Sequence, residues 1–207
     1  MANVNTPRGL SPVGTITGAA YNEQGRLYAI ANDASNTYAI GDIVKVAGGS
    51  DTNGVPYATK AASTDTPLGV IVGIRVADPG TSLVGTTLAL NTLYLPLNSG
   101  LRYVFVVDDP SVIFQVEGDA TGVSAANVFS NAGLTITANQ TSLAQSAPLS
   151  STVVSGASIK AIGTSGSLAL PLQIIGLEQI ENNEAGAYAN VLVKWNKHQF
   201  LNPVGTA

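Results

Sequence analysis

His198 is the only histidine of this chain, and histidine is the side chain best suited to move protons near neutral pH. A hydrolytic site needs a nucleophile whose base is held by a third group. The stretch GTSGS at 163–167 comes nearest to a nucleophile elbow, but it lacks the Gly-x-Ser-x-Gly spacing and no helix pattern follows it. His198 therefore reads as an ordinary strand-end histidine. Lys194, Lys197 and His198 together read as the solvent face of a terminal strand. Paired carboxylates could do acid–base work, and three pairs exist: Asp108 with Asp109, Glu117 with Asp119, and Glu181 with Glu184. Each falls at a turn, a strand end or a loop, where Asp and Glu usually serve the backbone.

The same acids could hold calcium through oxygen, but no stretch has the spaced D-x-D-x-D-G pattern. Neither GxxxxGK[ST] nor GxGxxG occurs, so a phosphate cradle is not encoded in either common form. The seven tyrosines are spread along the chain without an interleaved basic stripe and read as strand packing. No catalytic residue, cofactor or metal ligand is assigned from the sequence.

Composition points the same way. Of 207 residues only 11% are charged, against about 25% in an ordinary domain, while 45% are hydrophobic. The surface must then consist of hydroxyls, amides and small apolar groups, which suit lasting contact with protein. A net charge of −4 with nine scattered basic residues argues against nucleic acid as partner. No apolar run approaches the roughly 20 residues of a membrane helix, and the first residues do not form a signal peptide. The absence of cysteine excludes disulfides and thiolate metal sites.

The elements that must carry these residues are strands. With 22 Gly and 10 Pro, and abundant Thr and Val, helical periodicity is nearly absent. Short apolar or alternating runs bounded by turn residues predict an all-β fold: a β-sandwich, jelly roll or small barrel with an extended N-terminal arm and little helix. Strands are expected at 26–30, across 37–48 with a bend at Gly41-Asp42, after the Asn53-Gly54 turn, and at 67–77 and 86–97. The run 101–119 predicts a central hairpin, YVFVV and VIFQV turning on Asp108-Asp109-Pro110-Ser111. Residues 120–167 are rich in Ala, Ser, Thr, Gly and Asn. They predict a short helix near 123–129, brief strands at 134–137 and 157–162, and a long loop. A broken apolar run at 167–180 and a last strand at 187–196, with Val191, Val193 and Trp195 on one face, close the fold. The organisation expected is an arm over 1–14 and a single β-rich domain over 15–207.

Several strings resemble a known group. They are the opening ANVNTPRGLSPVGTITGAAYN, the run YAIGDIVKVAGGSDTNGVPYATKA, PLGVIVGI, YVFVVDDPSVIFQVEGD, and the closing GLEQIENNEAGAYANVLVKWNKHQF. Together they resemble structural proteins encoded beside the major capsid protein of tailed bacteriophages, especially short-tailed ones. The unusual strings are VDDP-x-VIF and the terminal N-x-HQF; neither is a chemical signature. The resemblance implies a capsid cement, or decoration, protein. Such a protein is β-rich, is not an enzyme, and sits as a homodimer or homotrimer on the outer surface of the head. There it bridges neighbouring capsomers with the major capsid protein as its partner, and neither membrane nor nucleic acid takes part.

The arm is the expected partner contact, with Pro7, Arg8 and Leu10 as its contact residues, and removing residues 1–12 is expected to weaken attachment while leaving the core folded. Other readings are a different virion component (head–tail adaptor, tail tube subunit or head-fibre base) and a carbohydrate-binding or glycan-cleaving β-module. The single Trp, in a core-facing strand pattern, disfavours the last.

Overall fold

The computed structural model describes residues 3–6, 8–31, 33, 35–63, 65–75, 94–95, 101–136, 140–141, 153–154, 157–160 and 170–201. The fold is all-β. The strands in chain order are β1 (Ser11–Thr15), β2 (Arg26–Ile30), β3 (Tyr38–Ala39), β4 (Ile43–Ser50), β5 (Pro56–Lys60), β6 (Gly69–Arg75), β7 (Tyr94–Leu95) and β8 (Arg102–Val107). They continue with β9 (Val112–Glu117), β10 (Asn131–Ile136), β11 (Gln140–Thr141), β12 (Val153–Val154), β13 (Ala157–Lys160), β14 (Leu172–Leu177) and β15 (Asn190–Trp195). A single 3₁₀ turn at Ala125–Asn127 replaces the short helix expected near 123–129.

Two bodies of sheet result. Strands β2-β5-β4-β6-β8 close into a barrel, and β1-β9-β15-β14-β10-β13 form a sheet beside it; β3 pairs β7 and β11 pairs β12 as short ribbons. All pairings are antiparallel except β2 with β5. The barrel interior holds Tyr28, Ile30, Val44, Leu68, Ile71, Val104 and Val106. A second core lies between the sheet and the barrel wall. It joins Phe114, Val116, Leu172, Val191, Val193 and Trp195 of the sheet to Ile43, Val70 and Val107 of the barrel. The predicted face of Val191, Val193 and Trp195 is this buried face of β15.

The expected hairpin at 101–119 does not form. Strand β8 pairs with β2 and β6 in the barrel, whereas β9 pairs with β1 and β15 in the sheet. The turn is real, since Val112 N–H donates to the Asp109 carbonyl at 3.2 Å, but it is a corner between layers. Apolar residues on both faces of β8 have a different cause from a central hairpin. Val104 and Val106 fill the barrel, and Val107 faces the sheet.

The arm is shorter than expected. Ser11–Thr15 is the edge strand β1, paired with β9 through a bulge between Pro12 and Gly14. Pro has no N–H to donate, so an edge is where it belongs. Leu10 is 1% exposed and sits in the sheet-side core, its N–H donating to the Gly41 carbonyl. A side chain so enclosed is held by this chain's own core, and removal of residues 1–12 would take it out of that core. Arg8 is exposed, and Pro7 lies outside the described residues. Gly41 adopts φ +92°, and any side chain on it would meet the Arg8 carbonyl oxygen, so the bend at Gly41-Asp42 and the seat of the arm depend on the same glycine.

Candidate functional site

The titratable residues singled out in the sequence are mostly absorbed by the backbone and by tyrosines. Asp108 and Asp109 are adjacent but face different surroundings: Asp108 is buried and Asp109 exposed. Asp108 Oδ2 accepts the Tyr28 hydroxyl at 2.6 Å and pairs with Arg26 at 3.1 Å. Asp109 Oδ1 accepts the Ser111 N–H at 2.8 Å, closing the corner. The pattern recurs around the barrel. Tyr38 donates to Asp33, and Tyr103 donates to Asp51 at 2.7 Å. In all three pairs burial, then the carboxylate, pushes the tyrosine upward, Tyr38 to about 12. These hydroxyls therefore remain donors at any ordinary pH. Asp42, at the Gly41-Asp42 bend, accepts the Ala39 N–H and pairs with Lys60 at 3.0 Å.

Glu117 and Asp119 diverge as well. Glu117 ends β9, is 5% exposed, and its Oε2 accepts the backbone N–H of Thr6 at 2.8 Å and the Thr6 hydroxyl at 3.3 Å. Burial lifts its pKa above the usual carboxylate range, against the opposing pull of the Thr6 bonds and Arg8. Asp119 caps Thr121 N–H at 2.9 Å. Glu181 and Glu184 are both exposed on the loop before β15, where Asn3 of the arm donates to the Glu184 and Ala187 carbonyls at 2.8 Å each.

His198 is fully buried, which corrects the solvent-face reading for that residue, whereas Lys194 and Lys197 are both partly exposed. Its ring packs between Trp195 and Phe200, with centroids 5.7 and 5.6 Å away. Nδ1 accepts the Phe200 N–H at 3.2 Å, so the neutral ring carries its proton on Nε2. Burial lowers its pKa, with the Leu68 backbone, Asp108 and Asp109 pulling the other way. A ring so enclosed packs; it does not meet a substrate. GTSGS at 163–167 lies outside the described residues. Among the described residues no group of three His, Asp or Glu side chains could hold a metal ion, and no helix is long and apolar enough to cross a membrane.

The described surface also carries a groove. A groove of about 1430 Å³ runs between the edge strand β1 and the barrel wall. Pro12, Thr15, Val72, Phe105, Asp109 and Phe200 are among the residues that line it. Phe200 is 48% exposed there, beneath the Arg26 guanidinium at 5.8 Å from the ring centroid. Both unusual strings of the sequence contribute to this groove: Val107 to Pro110 of VDDP and Phe200 of HQF line it. A third exposed feature, Phe129, carries φ +65°, a region that a bulky residue enters only at a cost of about 1 kcal/mol or more.

Sequence reasoning missed the groove and Phe129. The groove is assembled from residues as distant as Pro12 and Phe200, which no local pattern connects. Phe129 occupies a turn position normally held by Gly or Asn, so the signal that marks such turns is missing.

No family model, no curated protein and no solved structure matches this chain.

Proposed function

We propose that the protein is a structural subunit of a phage particle that binds the outer surface of the head and cements neighbouring capsomers. The observation that carries this reading is that VDDP and the Phe200 of HQF, unusual strings within the stretches that carry the resemblance, line one partly apolar groove. The composition supports it: a chain with 11% charged residues has little charge for repulsion and a surface suited to being covered. The buried Asp, Glu and His side chains described above serve turns, tyrosines and the arm, which favours a binding role over catalysis.

The partner in this reading is the major capsid protein, with the cement protein present as a homodimer or homotrimer. Stable association buries about 800 Å² per partner, and many modest contacts repeated over a closed shell add up through multivalency. Co-sedimentation with expanded, emptied heads stripped of this protein tests it. Saturable pelleting with a rise in the melting temperature of the shell is expected. Absence of pelleting by folded protein would overturn the reading in favour of a tail or fibre component.

A further inference from the structure

The Asn53-Gly54 turn lies apart from the groove, at the tip where β4 passes into β5. It is the one place in the chain where Gly follows Asn. Thr52, Asn53 and Gly54 are exposed, whereas Asp51 beside them is buried. The Gly54 N–H closes the turn by donating to the Asp51 carbonyl at 3.1 Å.

Asn is chemically labile, and an Asn-Gly pair is the least protected form of it. The backbone nitrogen after Asn can attack the side-chain amide, and Gly has no Cβ to obstruct the approach. Water is the only co-reactant. The Gly54 nitrogen loses its proton and bonds to Asn53 Cγ, while the Cγ–Nδ2 bond breaks and Nδ2 leaves with that proton as ammonia. Water then opens the cyclic imide. Addition at Cγ gives aspartate; addition at the main-chain carbonyl carbon gives isoaspartate, with the backbone running through Cβ and Cγ.

The fold lays a clasp across this reaction. Asp51 Oδ1 accepts the Asn53 N–H at 2.9 Å and the Val55 N–H at 2.8 Å, and Oδ2 accepts the Tyr103 hydroxyl at 2.7 Å. Tyr103 is buried on β8, so the clasp ties the turn to the barrel. Against the cost of burial, bonds from Tyr103, Val55 and Asn53 hold the Asp51 carboxyl below the usual carboxylate range. The attacking nitrogen is thus occupied by the Asp51 carbonyl, and the Asn53 side chain is engaged with Asp51 and Tyr103. Imide formation requires the turn to open locally.

We propose that Asn53 is a self-modification site of the folded protein, converted by water to aspartate and isoaspartate at a rate governed by the Asp51–Tyr103 clasp. The product undoes its own restraint. Either acid sets a carboxylate against Asp51 where an amide stood, and like charges so close repel. Isoaspartate also lengthens the turn by a backbone atom, out of register with the bonds to Asp51. The inference is independent of the head-binding reading.

The test incubates the full chain, folded or in urea, at mildly alkaline pH. Ion exchange follows the charge and peptide mass mapping finds the site, in wild type, Asn53→Ser and Tyr103→Phe. An acidic species is expected in folded wild type, mapping to Asn53 and missing from Asn53→Ser. It forms more slowly than in urea. In folded Tyr103→Phe it forms roughly fivefold faster than in folded wild type, the factor for one net hydrogen bond. Asn53→Asp is expected to melt below wild type. The inference is overturned if folded wild type yields no acidic species over many times the period in which the unfolded chain converts, or if the change maps to another Asn. Equal rates in folded Tyr103→Phe and wild type overturn it too, as does an unchanged melting temperature in Asn53→Asp. If Tyr103→Phe does not fold, wild type decides alone: equal rates in the folded and the unfolded chain overturn the inference.

Discussion

Tyr28 of the first barrel strand donates its hydroxyl to Asp108 at 2.6 Å, tying that strand to the corner where the chain leaves the barrel for the sheet. Asp108 is 8% exposed, so the bond is made largely out of water. Its other partner, Arg26, has 63% of its side chain in solvent.

Tyr28→Phe is therefore expected to destabilise the fold by about 1–3 kcal/mol, because it strands a buried acceptor. Arg26→Ala removes an exposed ion-pair partner and an exposed contact over the Phe200 ring, and is expected to cost less, about 1 kcal/mol or below. Urea denaturation of the two variants checks the order; the reverse order would mean that Arg26, not Tyr28, secures Asp108.

Leu10 provides a second test. Leu10→Ala is expected to cost about 2–5 kcal/mol, as for other fully buried leucines. Truncation before residue 6 removes the Asn3 bonds at an exposed site and is expected to matter much less. Truncation through residue 12 takes Leu10 and part of β1, so loss of cooperative thermal unfolding is expected. A stably folded protein lacking residues 1–12 would show that the arm is dispensable after all.

Glu117 makes the arm pH-sensitive. The folded state holds its proton more tightly than the unfolded chain does, because burial outweighs the Thr6 bonds and Arg8. The stability linked to this group therefore falls as pH rises from about 4.5 through the raised folded-state value. Glu117→Gln is expected to remove that slope. Denaturation midpoints measured across the range decide it, and an identical slope in the variant would assign the effect elsewhere.

His198 works in the opposite sense. Its folded-state pKa is depressed by burial, so the unfolded chain takes up the proton first. Stability is complete above the ordinary histidine value of 6.5 and falls as pH drops from there to the depressed value. His198→Leu keeps an apolar side chain among Trp195 and Phe200 and is expected to flatten this acid limb. The two residues tilt the profile in opposite directions, and the single variants separate their contributions.

Local structure was legible where local chemistry decides it. The strand at 26–30, the Asn53-Gly54 turn, the bend at Gly41-Asp42 and the one-sided burial of Val191, Val193 and Trp195 follow from turn residues and alternation. Pairing was not legible. The segments β8 and β9 have the composition of a hairpin and a good turn between them, yet each finds its partners far away in sequence. Strand partners are chosen by which faces must be buried together, and a single chain segment does not record that. The same limit hid the groove, and it hid the Tyr–Asp pairs, which join residues as far apart as Tyr28 and Asp108.

The edge strand β1 bears on how such a chain stays dispersed. Proteins rich in exposed strands commonly rely on charge to keep copies from zipping together, and this sequence has little charge to use. The barrel removes the hazard on its half by having no free strand edge at all. On the other half, one border of the sheet is β1, where Pro12 withholds a donor and the bulge at Gly14 breaks the regular ladder. Colloidal stability is thus written at this border into backbone shape. Replacing Pro12 would put at risk the solubility of a concentrated solution before it affected the folded core.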